Sequence, residues 1–444
     1  MIGNFTKIFL LELNEINFDF VKRYGDKGEL PNLTSLIEKH GLIETDSEQR
    51  YDELEPWIQW VTAHSGKSFA EHGVFRLGDI VQTELVQIWE FLEAHGLKVG
   101  AMSPMNAANR TEDAAFFVSD PWTNTKNSGN FLIMRLADAI SQAVNDNAQA
   151  RISAQSAFWL GMSLVRYSRA KNFPAYGRIV SKIMGRKSWA KALLLEELLV
   201  DVTLTETRRT GVDFVSLFLN AGAHIQHHYM FNATVYNGIE RNPEWLVRSS
   251  DDPILDVYTQ YDRAVGRIRA TLPQFRLIIA TGLHQDPYPT TLYYWRLKDH
   301  DSFLRRIGVD FIAVEPRMSR DFLIQCNSVA QAVAAQEVLE KVVASDGIRL
   351  FEVDRRNDSL FVMLTYPRDI ADNLLFSITG KTLGKLKPHT VFVAIKNGEH
   401  NGVGYLIDTD GIAEKENDAN KRFELKRLPA RIAAGFGLDW PQAI

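Results

Sequence analysis

Lys7-Ile8-Phe9-Leu10-Leu11-Glu12-Leu13, followed at once by Asn14-Glu15-Ile16-Asn17, is the stretch whose reading decides the fold. A short, nearly continuous apolar run that breaks into polar residues is the pattern of a central strand buried on both faces of a parallel sheet. Ligands of open α/β sheets bind just outside the carboxyl ends of the strands, so Asn14 and Glu15 stand where site residues are expected. The same kind of run recurs at Lys98 to Ser103, Val212 to Asn220 and Phe275 to Ala280, with Leu42 to Thr45 as a further strand. Helices are expected between them, from Pro31 to the Gly41 stop, near Leu85 to Ala94, and from Tyr258 to Thr271. This alternation predicts a doubly wound, mostly parallel α/β sheet flanked by helices.

Between the first two of those runs lies Leu54-Glu55-Pro56-Trp57-Ile58-Gln59-Trp60-Val61-Thr62-Ala63-His64-Ser65-Gly66, then Glu71-His72-Gly73. Proline is tolerated in the first helical turn, where its missing N–H would be unpaired anyway, so Glu55-Pro56 reads as a loop delivering a helix start. Ser65-Gly66 reads as the end of that helix and His72-Gly73 as a following turn. Taken alone, the segment also fits an ordinary helix with a buried aromatic stripe.

Histidines gather past the later strands. Ala221-Gly222-Ala223-His224-Ile225-Gln226-His227-His228 follows the Val212 run, and at i and i+3 or i+4 His224 with His227 or His228 suits one metal ion. His284 follows the Phe275 run. His400 lies in Asn397-Gly398-Glu399-His400-Asn401-Gly402, read as a tight turn between glycines after a strand at Thr390 to Ile395.

Residues 131 to 205 break the alternation and read as helices at Phe131 to Asn145, Ala154 to Lys171 and Ala175 to Leu199. From Ala148 to Leu195 there is no Asp or Glu, yet nine Lys and Arg residues occur among aromatic and aliphatic ones. A basic, amphipathic insert of this kind fits an anionic membrane surface or a large, lipid-linked anionic substrate. A solvated basic face on a packed helical subdomain is the competing reading. Residues 301 to 385 read as a small α+β cap, with a strand at Phe311 to Val314, another at Phe322 to Gln325 and a helix at Val329 to Ala344. Its entrance carries Arg317 and Arg320, whose planar forks suit phosphate, sulfate or carboxylate groups. The expected division is therefore 1–130, 206–300 and 386–444 for the core, 131–205 for the insert and 301–385 for the cap.

Composition narrows the classes. The chain has 444 residues, a net charge of −5 and one cysteine, Cys326. The charge argues against a general nucleic-acid binder, and a lone cysteine excludes an internal disulfide or cysteine-rich metal cluster. Acidic and polar residues interrupt Met1 to Phe20, and no apolar run approaches about 18 residues, so neither a leader peptide nor a spanning helix is expected. These features predict a cytoplasmic protein, peripheral to the membrane if the insert binds lipid.

In their order and spacing, these elements resemble the alkaline phosphatase superfamily, most of all its type I phosphodiesterase and nucleotide pyrophosphatase branch. The resemblance covers most of the chain outside the insert and the cap. It implies a metal centre, usually two zinc ions, and a metal-bound Thr or Ser nucleophile. Carried over position by position, the first metal aspartate falls on Asn14, with Glu12 and Glu15 adjacent. The nucleophile falls on Pro56, beside Glu55, where no hydroxyl stands. The Asp-x-x-x-His pair falls on Ala223 and His227, the late Asp-His pair on Gly282 and Leu283 or Leu283 and His284, and the last histidine on His400. Aspartates have gone while histidines and a carboxylate remain, which suits one zinc or manganese ion better than a two-metal site.

The expected centre thus draws its metal ligands from Asn14, Glu55, His224, His227, His284 and His400. Glu55, Thr62 and His64 are the candidates for nucleophile, acid or base, and Arg317 and Arg320 for contacts to the substrate. The expected function is metal-dependent hydrolysis of an anionic phosphate or sulfate ester. Two alternatives use the same fold: a phospho- or glycosyl-group transferase of surface-polysaccharide assembly, and a non-catalytic binding protein with a degenerate site.

Overall fold

The computed structural model describes residues 7–48, 50, 53–145, 152–317, 320–410 and 422–441. The chain divides into two units: Met1–Asn237, Ser249–Asp286 and Glu399–Ile444 form the first, Gly238–Arg248 and Pro287–Gly398 the second. The insert expected at 131–205 falls within the first unit. The second unit reaches beyond the 301–385 cap at both ends, because the paired strands His284–Leu297 and Thr390–Asn401 contribute most of their length to it.

The first unit is built on an eight-stranded sheet. Its order is Phe423–Glu424, β2 (Ile43–Asp46), Val403–Asp408, β6 (Arg276–Ala280), β1 (Ile8–Leu13), β5 (Phe214–Leu219), β3 (Val99–Met102) and β4 (Phe116–Val118). From β6 to β4 every neighbouring pair is parallel, and Val403–Asp408 runs antiparallel to both β6 and β2. Ile8, Phe9, Leu10, Leu11 and Leu13 are fully buried, as the unbroken apolar run requires of a central strand covered on both faces. Glu12 is buried in the same strand because His64 meets it, with Nε2 2.7 Å from Oε1. Val403–Asp408 can lie beside the β6 end only because Gly404 has no side chain: a Cβ there would come within 2.6 Å of the Gly282 carbonyl oxygen.

Among the described residues, eleven α-helices of this unit lie between β1 and β6: α1 (Phe18–Gly25), α2 (Pro31–His40), α3 (Pro56–Ser65), α4 (Phe69–His72), α5 (Ile88–Ala94), α6 (Phe131–Asn145), α7 (Ala154–Tyr167), α8 (Phe173–Met184), α9 (Ala190–Thr210), α10 (Ala221–Tyr229) and α11 (Pro253–Thr271). Proline opens α2, α3 and α11, where a missing N–H costs nothing. Gly66 closes α3 in the left-handed conformation at φ 70°. The helix expected from Ala175 to Leu199 is two helices, because the chain turns at Gly185 and Arg186 before Trp189 caps α9. The first of them starts earlier, at Phe173, with Pro174 in its first turn.

The second unit has an antiparallel sheet ordered Phe351–Arg356, Ser359–Leu364, Asp321–Gln325 and Ala313–Pro316, and a three-stranded sheet of Val342–Ala344, Leu375–Ile378 and Lys381–Lys385. The helix expected to Ala344 stops at Leu339, since the β-branched Val342 and Val343 that follow favour a strand. Phe303, Phe322, Phe351 and Phe376 lie in its core. No described helix is long and apolar enough to cross a membrane.

Glu196 of α9 is buried beneath the first turn of α10. Its Oε1 accepts the Ala221 N–H at 2.5 Å, while Oε2 has no hydrogen-bond partner among the described residues. Burial pushes the carboxyl up to about 7 from 4.5. The folded protein therefore keeps a proton that the unfolded chain has released, and stability falls as pH climbs from about 4.5 to about 7. We predict that Glu196→Gln flattens this part of the pH–stability curve and gains about 1–3 kcal/mol at pH 8. Urea denaturation at pH 5 and pH 8 checks this, and an unaltered pH slope in the variant would refute it.

Candidate metal centre

Glu15 lies two residues past Leu13, which ends the central strand, in the left-handed region at φ 59°. For a residue with a Cβ this backbone costs of order 1–2 kcal/mol, so the surrounding contacts must hold it there. They are numerous. The Glu15 N–H donates to the Thr281 carbonyl at 3.2 Å, and its own carbonyl accepts from Gln226 Nε2 at 2.6 Å and from the Gln285 N–H at 3.1 Å. Glu15 Oε1 accepts from Asn14 Nδ2 at 3.0 Å, and Oε2 accepts from Gln285 Nε2.

Two histidines from distant parts of the chain converge on this carboxylate. His227 of α10 places Nε2 3.3 Å from Glu15 Oε2, and His400 places Nε2 3.1 Å from the same atom. The two rings stand at 65° to each other with centroids 5.2 Å apart. One ligand atom from each of Glu15, His227 and His400 lies within 4.8 Å of the other two. On the other side of His400, Nδ1 is 3.8 Å from Oε2 of Glu55 at the N-terminus of α3. The Glu55 side chain makes no cap bond to its own helix.

Electrostatics keep the carboxylate ionised. Burial alone would raise the Glu15 pKa, but the charges and close contacts of His400 and His227 outweigh it and hold the carboxyl well below the usual range. Burial likewise pulls His400 down, yet Glu15 and Glu55 together lift it to about 9. Glu55 is shifted upward, first by its own burial and then by Glu15.

Whether these residues suit a metal ion is a matter of distance and donor type. Zinc bonds of about 2.0–2.1 Å in a tetrahedral site put neighbouring ligand atoms about 3.3 Å apart. The Glu15–His227 and Glu15–His400 separations, 3.3 and 3.1 Å, lie close to that edge length. His227 Nε2 and His400 Nε2 both face the same carboxylate oxygen, so the three donors are already gathered around one point. Two imidazoles and one carboxylate leave room for water or substrate on a divalent ion.

The other expected residues take different places. Asn14 is buried with both ends of its amide engaged. Trp60 Nε1 donates to Oδ1 at 2.7 Å, while Nδ2 donates to Glu15 and, at 2.7 Å, to Asn220 Oδ1. Because the indole N–H is only a donor, it fixes which end of the amide is oxygen. Asn14 thus holds Glu15 in place instead of offering a ligand atom. His284 has both nitrogens occupied, Nδ1 at 2.5 Å from the Val403 carbonyl and Nε2 at 3.1 Å from Asp286 Oδ1, and Asn401 also donates to Asp286. His224 lies on the exposed side of α10, its ring 4.8 Å from that of His228 one turn on.

Thr62 lies seven residues past Glu55 along α3, roughly 10 Å further on by helical rise. Its Oγ1 is 3.2 Å from His72 Nε2, and His72 Nδ1 accepts the Val74 N–H. The proton of His72 therefore sits on Nε2 and points at Thr62, so His72 cannot act as its base in this arrangement. His64 is fully buried against Trp60, Trp89 and Glu12. Arg317 and Arg320 belong to the second unit, where Arg317 is 3.4 Å from Glu315 and Arg320 stacks over the Tyr294 ring. The His400 backbone is not a tight turn. The strand Thr390–Asn401 runs through it and breaks only at Gly402, where a Cβ would meet the Glu48 carbonyl at 2.9 Å.

Glu15, expected near the site from its place directly past the central strand but absent from the expected ligands, is the carboxylate on which the two histidines converge. Gln226, Gln285 and Trp60 carried no signal, because amides and indoles occur throughout ordinary cores. Groups that orient a metal ligand commonly alter affinity by ten- to a hundredfold when removed. Asn14→Ala is therefore expected to weaken zinc binding by about 10–100-fold while keeping the circular dichroism of the parent. Competition against a chromophoric chelator measures this, and unchanged affinity would show that Asn14 does not position Glu15.

No model of a known protein family matches the chain, and no curated protein sequence matches it. Solved structures do. Phosphonoacetate hydrolase from Sinorhizobium meliloti 1021 is similar at 12% identity and a TM-score of 0.45, over 95% of this chain and 94% of that one. Murine ectonucleotide pyrophosphatase/phosphodiesterase 5 is similar at 11% identity and a TM-score of 0.41, over 98% and 97%. The alkaline phosphatase PafA is similar at 9% identity and a TM-score of 0.44, over 98% and 96%.

Proposed function

We propose that this chain is a metal-dependent hydrolase of anionic esters, phosphate or sulfate, working with one divalent ion, zinc or manganese, held by Glu15, His227 and His400. The observation that carries this reading is the convergence of those three side chains on one point at the carboxyl end of the central strand. A divalent ion at that point would polarise an ester oxygen and lower the pKa of an attacking water.

The residues of the chain divide the remaining work. Asn14 and Gln285 orient the Glu15 carboxylate, each through one oxygen. Pro56 supplies no hydroxyl at the head of α3, so a covalent intermediate formed from that position is unavailable and the reading requires direct attack by water. Glu55 stands beside Pro56 with a carboxylate that is uncommitted to its helix and close to His400. It is the group placed to take the proton of that water as general base.

Three variants test the reading. His227→Ala and His400→Ala are expected to abolish stoichiometric metal and turnover together. Glu55→Gln is expected to retain the metal and lose about 10²–10⁴-fold in kcat on a responsive ester, as removal of a general base does. Elemental analysis and an aryl phosphate, phosphodiester and sulfate panel supply the measurements. The same donor set holds Fe(II) in oxygenases, so purified protein carrying iron and consuming oxygen, with no ester turnover, would overturn the hydrolase reading.

A further inference from the structure

The two outer helices of the basic insert turn large apolar side chains to the surface. Helix α7 buries Ser156, Ser163 and Tyr167 and turns Phe158, Met162 and Val165 outward. Those three residues are spaced i, i+4 and i+7, one stripe of the helix. Val165 is 82% exposed. After a short 3₁₀ turn, α8 buries the apolar Ala175 and Ile179 but also exposes Phe173, Val180 and Met184, with Met184 80% exposed. A helix that keeps serines inside and large apolar side chains in water is not packed for solvent. Isolated exposed apolar residues are ordinary, but contiguous stripes mark an interaction surface.

Charge identifies the kind of partner. Arg166, Lys171, Arg178, Arg186 and Lys191 are exposed on the same insert, and between residues 148 and 195 the sequence has no carboxylate. Lys171 of the 3₁₀ turn, with Pro174 and Arg178 of α8, also lines a cleft of about 380 Å³ shared with Asn32, Arg263 and Arg267. Arg263 and Arg267 are already paired with Glu197 and Asp201, which leaves Lys171 and Arg178 facing the opening. On α7 the apolar stripe is bordered by the exposed Arg166, and an apolar face beside cations complements a surface that is apolar beneath and anionic at its headgroups. A second copy of the chain would present the same cations to each other and is disfavoured by repulsion.

We propose that α7 and α8 dock the protein on an anionic lipid bilayer, with Phe158, Met162, Val165, Phe173, Val180 and Met184 entering the interface and the flanking Lys and Arg contacting headgroup phosphates. Helices of this length and composition lie in the plane of the membrane. The docking is independent of the metal centre, whose residues lie on other elements.

Flotation with sucrose-gradient vesicles tests the proposal on the full chain. Vesicles of phosphatidylcholine with phosphatidylglycerol in equal parts are expected to carry the protein at 0.1 M salt, and pure phosphatidylcholine vesicles at least tenfold less. Val165→Glu with Met184→Glu is expected to lower binding to anionic vesicles at least tenfold, with unchanged circular dichroism, melting temperature and metal content. Arg166→Glu with Arg178→Glu, which leaves both apolar stripes intact, is expected to do the same and to remove the lipid-charge preference. Equal binding to both vesicle types would overturn the proposal. So would absence from anionic vesicles, including the case in which the protein self-associates through these helices in sedimentation velocity.

Discussion

The buried carboxylate of Glu15 is the constraint around which the first unit is arranged. An ionised group out of contact with bulk water must be matched by charge and hydrogen bonds, and each match comes from a different element. Asn14 and the left-handed backbone come from the end of β1, Gln226 and His227 from α10, Gln285 from the chain after β6, and His400 from the strand Thr390–Asn401. The neighbours of β1 in the sheet are β5 and β6, so the loops leaving those strands are the ones that reach it. Sheet order therefore sets site composition.

Trp60 links this cluster to the opening helix of the site. Its indole N–H fixes the Asn14 amide, its ring packs edge-on against Phe218 of β5, and its helix carries Glu55 at the other end. One aromatic side chain thus ties α3 to the ends of β1 and β5. The same helix explains why its reactive groups do not act together. Glu55 at its start faces His400, whereas Thr62 and His64 near its end are committed to His72 and Glu12. A helix of ten residues is long enough to put its two ends in different environments.

Apolar packing supports a polar centre in the core, while the two outer helices of the insert turn large apolar side chains to the surface. α9 is buried over much of its length and carries Glu197 and Asp201 inward to Arg263 and Arg267. α7 and α8, one layer further out, turn apolar residues to solvent. The exposed cations of the insert lie on this outer layer, while the paired charges lie beneath it.

The sequence by itself determined the strands, since an apolar run such as Ile8 to Leu13 can be stable only when covered on both faces, and it determined the helix starts at Pro31 and Pro56 through backbone chemistry that needs no partner. It also placed His227, His400 and Glu55 near strand ends and a helix start. What those residues touch was not legible, because contacts across more than two hundred positions depend on strand order, and strand order is set by the packing of whole elements. Only the tertiary structure brought Glu15, absent from the expected ligands, to His227 and His400, engaged Asn14 with Trp60, and took Thr62, His64 and His284 into other hydrogen bonds. It alone decided which side of α7 faces water, since a helical stripe has a direction only when the neighbouring helix is in place.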